Sequence, residues 1–200
     1  MIHGSSAPAG SVRGASAVPV PGHLHPADPH PHPGHPRHGV RGLGFPGAGS
    51  YTGVMITVTG SVETKLSADK AFAFLSAFEN TSEWDPNTPV MEKLTPGPVA
   101  VGHRYHAESE FRGKRQSLEY EVIELTENHI KLRGENKSVT AFDSIDVSPA
   151  AQGSVVKYTA EFSIKGPAKI VQPLLKPAFM SLRDPALNGI RDTLNALAAA

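Results

Sequence analysis

Hydrophobic and polar positions change period several times along the chain, and the first clear pattern begins at Met55. Ile56, Val58, Gly60, Val62 and Thr64 alternate with Thr57, Thr59, Ser61, Glu63 and Lys65, the period of two expected of a strand with one buried face. Ser67 is placed to cap a short helix reaching about Phe78, in which Ala71, Phe74, Leu75 and Phe78 share a face at three- and four-residue spacing. Residues 79–89 predict a loop or broken helix, because Pro86 and Pro89 lack the amide proton that a continuing helix uses. Five strands follow in hairpin order over residues 90–94, 102–111, 114–127, 129–135 and 139–147, with turn residues such as Pro96-Gly97-Pro98, Arg112-Gly113, Asn128 and Asn136-Lys137 between them. A last strand over 154–165 turns Val156, Tyr158, Ala160, Phe162 and Ile164 to one side.

The same alternation assigns faces within the strands. His103, Tyr105, Ala107, Ser109 and Phe111 point inward, with His106, Glu108 and Glu110 toward water. Leu118, Tyr120 and Val122 oppose Glu119 and Glu121, while Ile123 and Leu125 change register, as at a bulge. Ile130, Leu132 and Gly134 form the next apolar set, and residues 139–147 leave the face open because Phe142 and Ile145 fall on opposite sides. From Pro167 onward Ile170, Leu174, Ala178 and Leu182, then Leu187, Ile190, Leu194 and Leu197, recur at helical spacing. Pro173, Pro177 and Pro185 interrupt it. Asp184-Pro185 reads as an N-cap followed by a first-turn proline, so a break is predicted there. These elements describe an α+β fold, seven antiparallel strands curved around a long C-terminal helix.

Composition separates residues 1–54 from the rest. They hold half of the 18 prolines, most of the 19 glycines, and His3, His23, His25, His30, His32, His35 and His38, with Asp28 the only acid. Such a segment buries too little apolar surface to offset chain entropy, so it is expected to be a disordered tail, with one domain over 55–200. Met55 is also a candidate native start, with the preceding residues an extension. The tail's alternating imidazoles would hold Zn²⁺ or Ni²⁺ only weakly, because no acid or cysteine fixes a geometry, so no metal site is expected. Residues 1–21 lack the continuous apolar core of a secretion signal, and a cytoplasmic location is the expectation. The chain has no cysteine, which excludes disulfides, thiolate metal sites and a cysteine nucleophile. Its zero net charge argues against a nucleic-acid partner, and no apolar run is long enough to form an integral membrane segment.

Several signals occur in a recognisable order: Ser67-Ala68-Asp69-Lys70-Ala71-Phe72-Ala73-Phe74-Leu75, then Trp84-Asp85-Pro86, then Val101-Gly102, then Val155-Val156-Lys157-Tyr158-Thr159-Ala160-Glu161-Phe162 before Gly166 and the last helix. This order resembles the START-like helix-grip superfamily, also called SRPBCC, which includes the birch pollen allergen and the polyketide cyclase/dehydrase and lipid-transport proteins. The resemblance covers nearly all of 55–200 and none of the tail. It implies a cavity between the concave sheet and the last helix, used across the superfamily for lipids, sterols, polyketides and hormones, and it implies neither a fixed catalytic set nor a cofactor.

Residues expected to contact a small hydrophobic or amphipathic ligand are Phe74, Trp84, His103, Tyr105, Phe111, Tyr120, Leu132, Tyr158, Phe162, Leu174 and Ala178. A cyclase or dehydrase in the same cavity would need an inward acid or base and a group to hold an enolate oxygen, for which His103, Tyr105 and Arg183 are the candidates. Trp84-Asp85 is read as a tryptophan sealing the cavity beside an aspartate that caps nearby backbone. A co-chaperone-like protein-binding module is the third alternative. Oligomeric state is left open.

Overall fold

The structure, a computed structural model, describes residues 55–200; the expectations for residues 1–54, including the histidine run, lie outside the described residues. Strand β1 (Ile56–Thr64) is followed by helix α1 (Ala68–Ser76), a single 3-10 turn (Phe78–Asn80) and the short α2 (Thr81–Trp84). Strands β2 (Val90–Lys93), β3 (Arg104–Phe111), β4 (Lys114–Leu125), β5 (His129–Glu135), β6 (Val139–Ala150) and β7 (Gly153–Ile164) run on in a meander. The chain ends in a 3-10 segment (Gly166–Val171), α3 (Gln172–Met180) and α4 (Arg183–Ala199).

The strands form one antiparallel sheet in the order β1-β7-β6-β5-β4-β3-β2, so only β1 leaves the meander to pair with the last strand. Cross-strand pairing carries each inward set over to the next: Tyr105 faces Tyr120, Tyr120 faces Gly134, Gly134 faces Ala141, and Ala141 faces Phe162. The predicted bulge is present, with the β4–β5 register shifting between Val122 and Glu124. Because Ile123 is the extra residue there, Leu125 is brought opposite Ile130.

Three expectations are corrected and one open assignment, that of the sixth strand, is resolved. Strand β3 starts at Arg104, so His103 sits in the turn before it, where its amide donates to Ala100 O at 3.1 Å. Ser67 occupies the cap position of α1 but makes no side-chain cap bond; its carbonyl accepts from Ala71 N at 2.9 Å. The ambiguous sixth strand turns Ala141, Asp143, Ile145 and Val147 inward, while Phe142 is buried on the opposite face, with Lys131 Nζ 5.5 Å from its ring centre. Phe142 hides the alternation because it is buried on the face away from Ala141 and Asp143, with the Lys131 ammonium over its ring. Finally, the break in the C-terminal helix falls at Ser181–Leu182, with Leu182 in the cap position and Asp184 and Pro185 already in the first turn of α4. Proline fits anywhere in a first turn, where its missing amide proton is not used, so it marks the region of a helix start without fixing the residue.

Buried side chains gather in two clusters. The larger joins α1 and α4 to β3–β6 through residues such as Leu75, Trp84, Tyr105, Val122, Ile130, Ile145, Ile190 and Leu194. The smaller holds Ile56, Val58, Ala160, Ile164 and Phe179, where the ends of β1 and β7 meet α3. Helix α4 reaches α2 closely enough that a Cβ on Gly189 would collide with the Trp84 carbonyl oxygen.

Candidate functional site

Sheet and helices do not fill the space between the two clusters, and a cavity of ≈ 290 Å³ remains, a volume equal to roughly ten water molecules in the liquid. Its apolar wall comes from both sides. Phe111 of β3 and Phe162 of β7 each lie 4.5 Å, centre to centre, from the ring of Phe179 on α3, and Val58, Val139, Ile164, Leu175 and Leu182 continue the lining. Aromatic contacts at this spacing are favourable beyond the area they bury, so Phe179 ties α3 to the sheet while leaving the space beneath it open.

One buried carboxyl interrupts that wall from the sheet; Glu110 of β3 also borders the cavity but is exposed. Along the cross-strand row Val122, Leu132, Asp143, Ala160, Val58 every residue is apolar except Asp143. Asp143 is buried, and its Oδ1 accepts a hydrogen bond from Tyr158 OH at 2.6 Å. Tyr120 OH is a second donor to the same carboxyl group. Burial raises the Asp143 carboxyl from the ordinary 3.8 to about 6; the two tyrosine bonds pull it down, and the charge of Asp85 pushes it up again. Both phenols are driven well above 10, chiefly by burial and then by the negative charge of Asp143. They therefore stay protonated as donors across the physiological range.

Tyr120 is held by a glycine. A Cβ on Gly134 would lie 2.5 Å from the Tyr120 ring, so only a residue without a side chain lets that ring lie over β5. Tyr158 is held from the other side by Trp84, whose ring stands edge-on to it at 5.6 Å. Asp85 lines the cavity from the helical layer, directly after α2. Its Oδ1 accepts from Asn87 N at 3.0 Å and Asn87 Nδ2 at 2.9 Å, and its Oδ2 from Thr88 Oγ1 at 2.8 Å. Burial raises this carboxyl too, against the lowering effect of those bonds. Capping is thus one role of Asp85, and facing the cavity is another. Thr88 and Ser109 Oγ atoms, 3.4 Å apart, extend the polar side.

The geometry sorts the residues named from sequence. Phe111, Tyr120, Tyr158 and Phe162 line the cavity. Phe74, Trp84, Tyr105 and Leu132 belong to the larger packed cluster and are not in the lining; Tyr105 stands edge-on to Phe78 at 5.8 Å. His103 is outside the lining in its turn, and the Arg183 guanidinium turns to Asp184 at 2.8 Å rather than inward. Leu174 is exposed, and Ala178 is not in the lining, because α3 presents Leu175 and Phe179 to the cavity instead. The series Leu175, Phe179, Leu182, Ala186, Ile190 was legible as an apolar stripe at spacings of four and three; it competed with Ile170, Leu174, Ala178, Leu182 in the same stretch. Asp143 carried no local signal, since Thr140, Ser144 and a second acid, Asp146, share its strand.

Among the described residues, no helix is long and apolar enough to cross a membrane. No curated protein matches the chain. Solved structures similar to it include a START superfamily protein from Mycobacterium smegmatis, at 16% identity over 70% of this chain and 98% of that one, with a TM-score of 0.61. The Zhui aromatase/cyclase from Streptomyces sp. R1128 is similar at 13% identity, over 70% of this chain and 94% of that one, with a TM-score of 0.60. A protein of Thermus thermophilus is similar at 14% identity, over 72% of this chain and 99% of that one, also with a TM-score of 0.60. At such identities these likenesses establish the helix-grip fold. Residues 55–200 match the family described as polyketide cyclase / dehydrase and lipid transport, and the chain belongs to that family.

Proposed function

We propose that the chain binds a small, largely apolar molecule carrying one oxygen function, with the ring or chain against Phe111, Phe162 and Phe179 and the oxygen at Asp143 and its two tyrosines. The observation that carries this is an apolar cavity with one buried carboxyl on its sheet wall. Removing apolar surface from water drives entry, and the polar cluster orients the guest, because an oxygen function left without a partner there would be penalised. Native mass spectrometry of the protein from its own host, together with uptake of a fluorescent apolar probe, tests the reading. Phe162→Ser is expected to weaken probe binding about tenfold, in line with the loss of one large apolar contact. Absence of both an adduct and probe uptake rejects the proposal.

A second reading, a cyclase or dehydrase using the same cavity, is favoured by the Asp143 carboxyl at about 6. An acid with that value exchanges a proton efficiently near neutrality, and a neighbouring neutral phenol is suited to hold an enolate oxygen. The acid/base role then passes from His103 and Arg183 to Asp143. In an enzyme, Asp143→Asn keeps the guest bound and abolishes dehydration of a bound β-hydroxyketone; in a carrier there is no turnover to lose.

A further inference from the structure

The segment that closes the cavity is apolar on its outer side as well. Ile170 is 85% exposed, Leu174 80% and Val171 44%, all within five residues of the 3-10 segment and α3. The other exposed large apolar residues among those described lie elsewhere, Leu94 and Val101 in the β2–β3 connection and Leu197 in α4. Ile170 and Leu174 are four apart, which stacks them on one face of the helical path.

The surroundings of this patch are basic. Residues 166–182 contain Lys169 and Lys176 and no acid. Two sheet turns lie beside it. The Phe111–Phe179 stack brings the β3–β4 turn, with Arg112 and Lys114, against α3. The Lys165 amide donates to Ser138 O at 2.8 Å, which brings the β5–β6 turn and Lys137 alongside the 3-10 segment. Nearby acids are already answered: Glu135 by Lys165 at 3.0 Å, and Glu110 by Arg115 at 3.6 Å. The result is an apolar ridge rimmed by exposed cations, on the segment whose Ala168 and Leu175 line the cavity.

We propose that this end of the molecule docks on an anionic lipid surface, with Ile170, Val171 and Leu174 entering the headgroup–acyl boundary and Lys169, Lys176, Arg112, Lys114 and Lys137 facing lipid phosphates. An exposed apolar ridge within a cationic rim matches the two attractions that hold a peripheral protein on such a surface, apolar burial and the pull of negative headgroups. A protein partner would need carboxylates to answer the same rim; a lipid leaflet answers the cations and the oily ridge together. Docking in this pose puts the cavity's closing segment on the membrane, so a guest could pass between lipid and cavity without crossing water. The proposal does not depend on which molecule the cavity takes.

Flotation of the full chain with vesicles of phosphatidylcholine alone, and of phosphatidylcholine mixed with phosphatidylserine, tests it. Binding is expected only with the mixed vesicles and is expected to weaken as salt rises. Ile170→Asp with Leu174→Asp should reduce it about tenfold or more, as should Lys169→Glu with Lys176→Glu, while Val101→Asp leaves it unchanged. Circular dichroism checks that each variant is folded. Equal binding to both vesicle types, binding indifferent to the two double variants, or no binding at all overturns the proposal. So does a dimer seen by light scattering that Ile170→Asp with Leu174→Asp dissolves in the absence of vesicle binding, since the ridge would then belong to a second copy.

Discussion

Asp143 is the residue whose surroundings are least like those of an ordinary aspartate. A carboxylate facing an apolar space loses its hydration, and two phenol donors restore only part of it, which is why the proton is held to about pH 6. The consequence for stability has a definite sign. An acid that binds its proton more tightly folded than unfolded makes the folded state weaker as pH rises from 3.8 to about 6. The loss is on the order of 3 kcal/mol for a shift of this size. Asp85, raised by burial, acts in the same direction, while Glu135, lowered by its Lys165 hydrogen bond, gains stability with rising pH at the acid end. Denaturant melts of Asp143→Asn are therefore expected to lose most of the decline between about pH 4 and 6, and a variant with the wild-type slope would contradict the placement of this carboxyl. Gly134→Ala should cost about 1–3 kcal/mol by displacing Tyr120, and it should weaken probe binding at the same time; equilibrium unfolding and probe titration read the two effects. Neither residue could be assigned its role from the chain alone. Gly134 is one glycine within a strand, and Asp143 stands next to Phe142 in a strand buried on both faces, where alternation stops distinguishing in from out.

Among the elements, the C-terminal helical region has the largest effect on the site. Its division at Ser181–Leu182 lets α3 and α4 follow different parts of the curved sheet, α3 over the ends of β1 and β7 and α4 against α2 and β1. The α2–α4 contact depends on Gly189, since a methyl group there would meet the Trp84 carbonyl, which is backbone and has no rotamer to escape into. Gly189→Ala should destabilise the fold by about 3 kcal/mol, at the upper end of overpacking effects and despite alanine's better helix propensity. Asn188→Ala, on the exposed side of the same helix, serves as the control and should change stability by no more than about 0.5 kcal/mol. Thermal melts of the pair separate close packing from propensity. Three prolines were enough to foresee a broken helix; the exact joint depended on where the two halves dock, because a proline within a first turn is compatible with several cap positions.

At the scale of the whole molecule, the packed end and the hollow end divide the work of holding the fold and holding a guest. The larger cluster closes one end with Trp84, Tyr105, Leu75, Ile190 and Leu194, and that close packing lets the other end remain open. Val139→Phe, which projects from the start of β6 into the cavity, should reduce probe affinity about tenfold while changing stability by less than about 1.5 kcal/mol. Loss of the fold instead would mean that the space is already filled. Order and type of the strands, the inward sets of most of them though not of β6, the bulge near Ile123 and the α+β layering of a curved sheet around a C-terminal helical region were determined by the sequence itself, because alternation, turn residues and proline act over a few neighbouring positions. The tertiary structure alone decided that Asp85, Tyr120, Asp143 and Tyr158 share one environment, that Phe179 faces the sheet while Leu174 faces outward, and which end stays hollow. A cavity is the small difference between the volume enclosed by a sheet and helices far apart in sequence and the volume of all the side chains inside, and no local pattern encodes that difference.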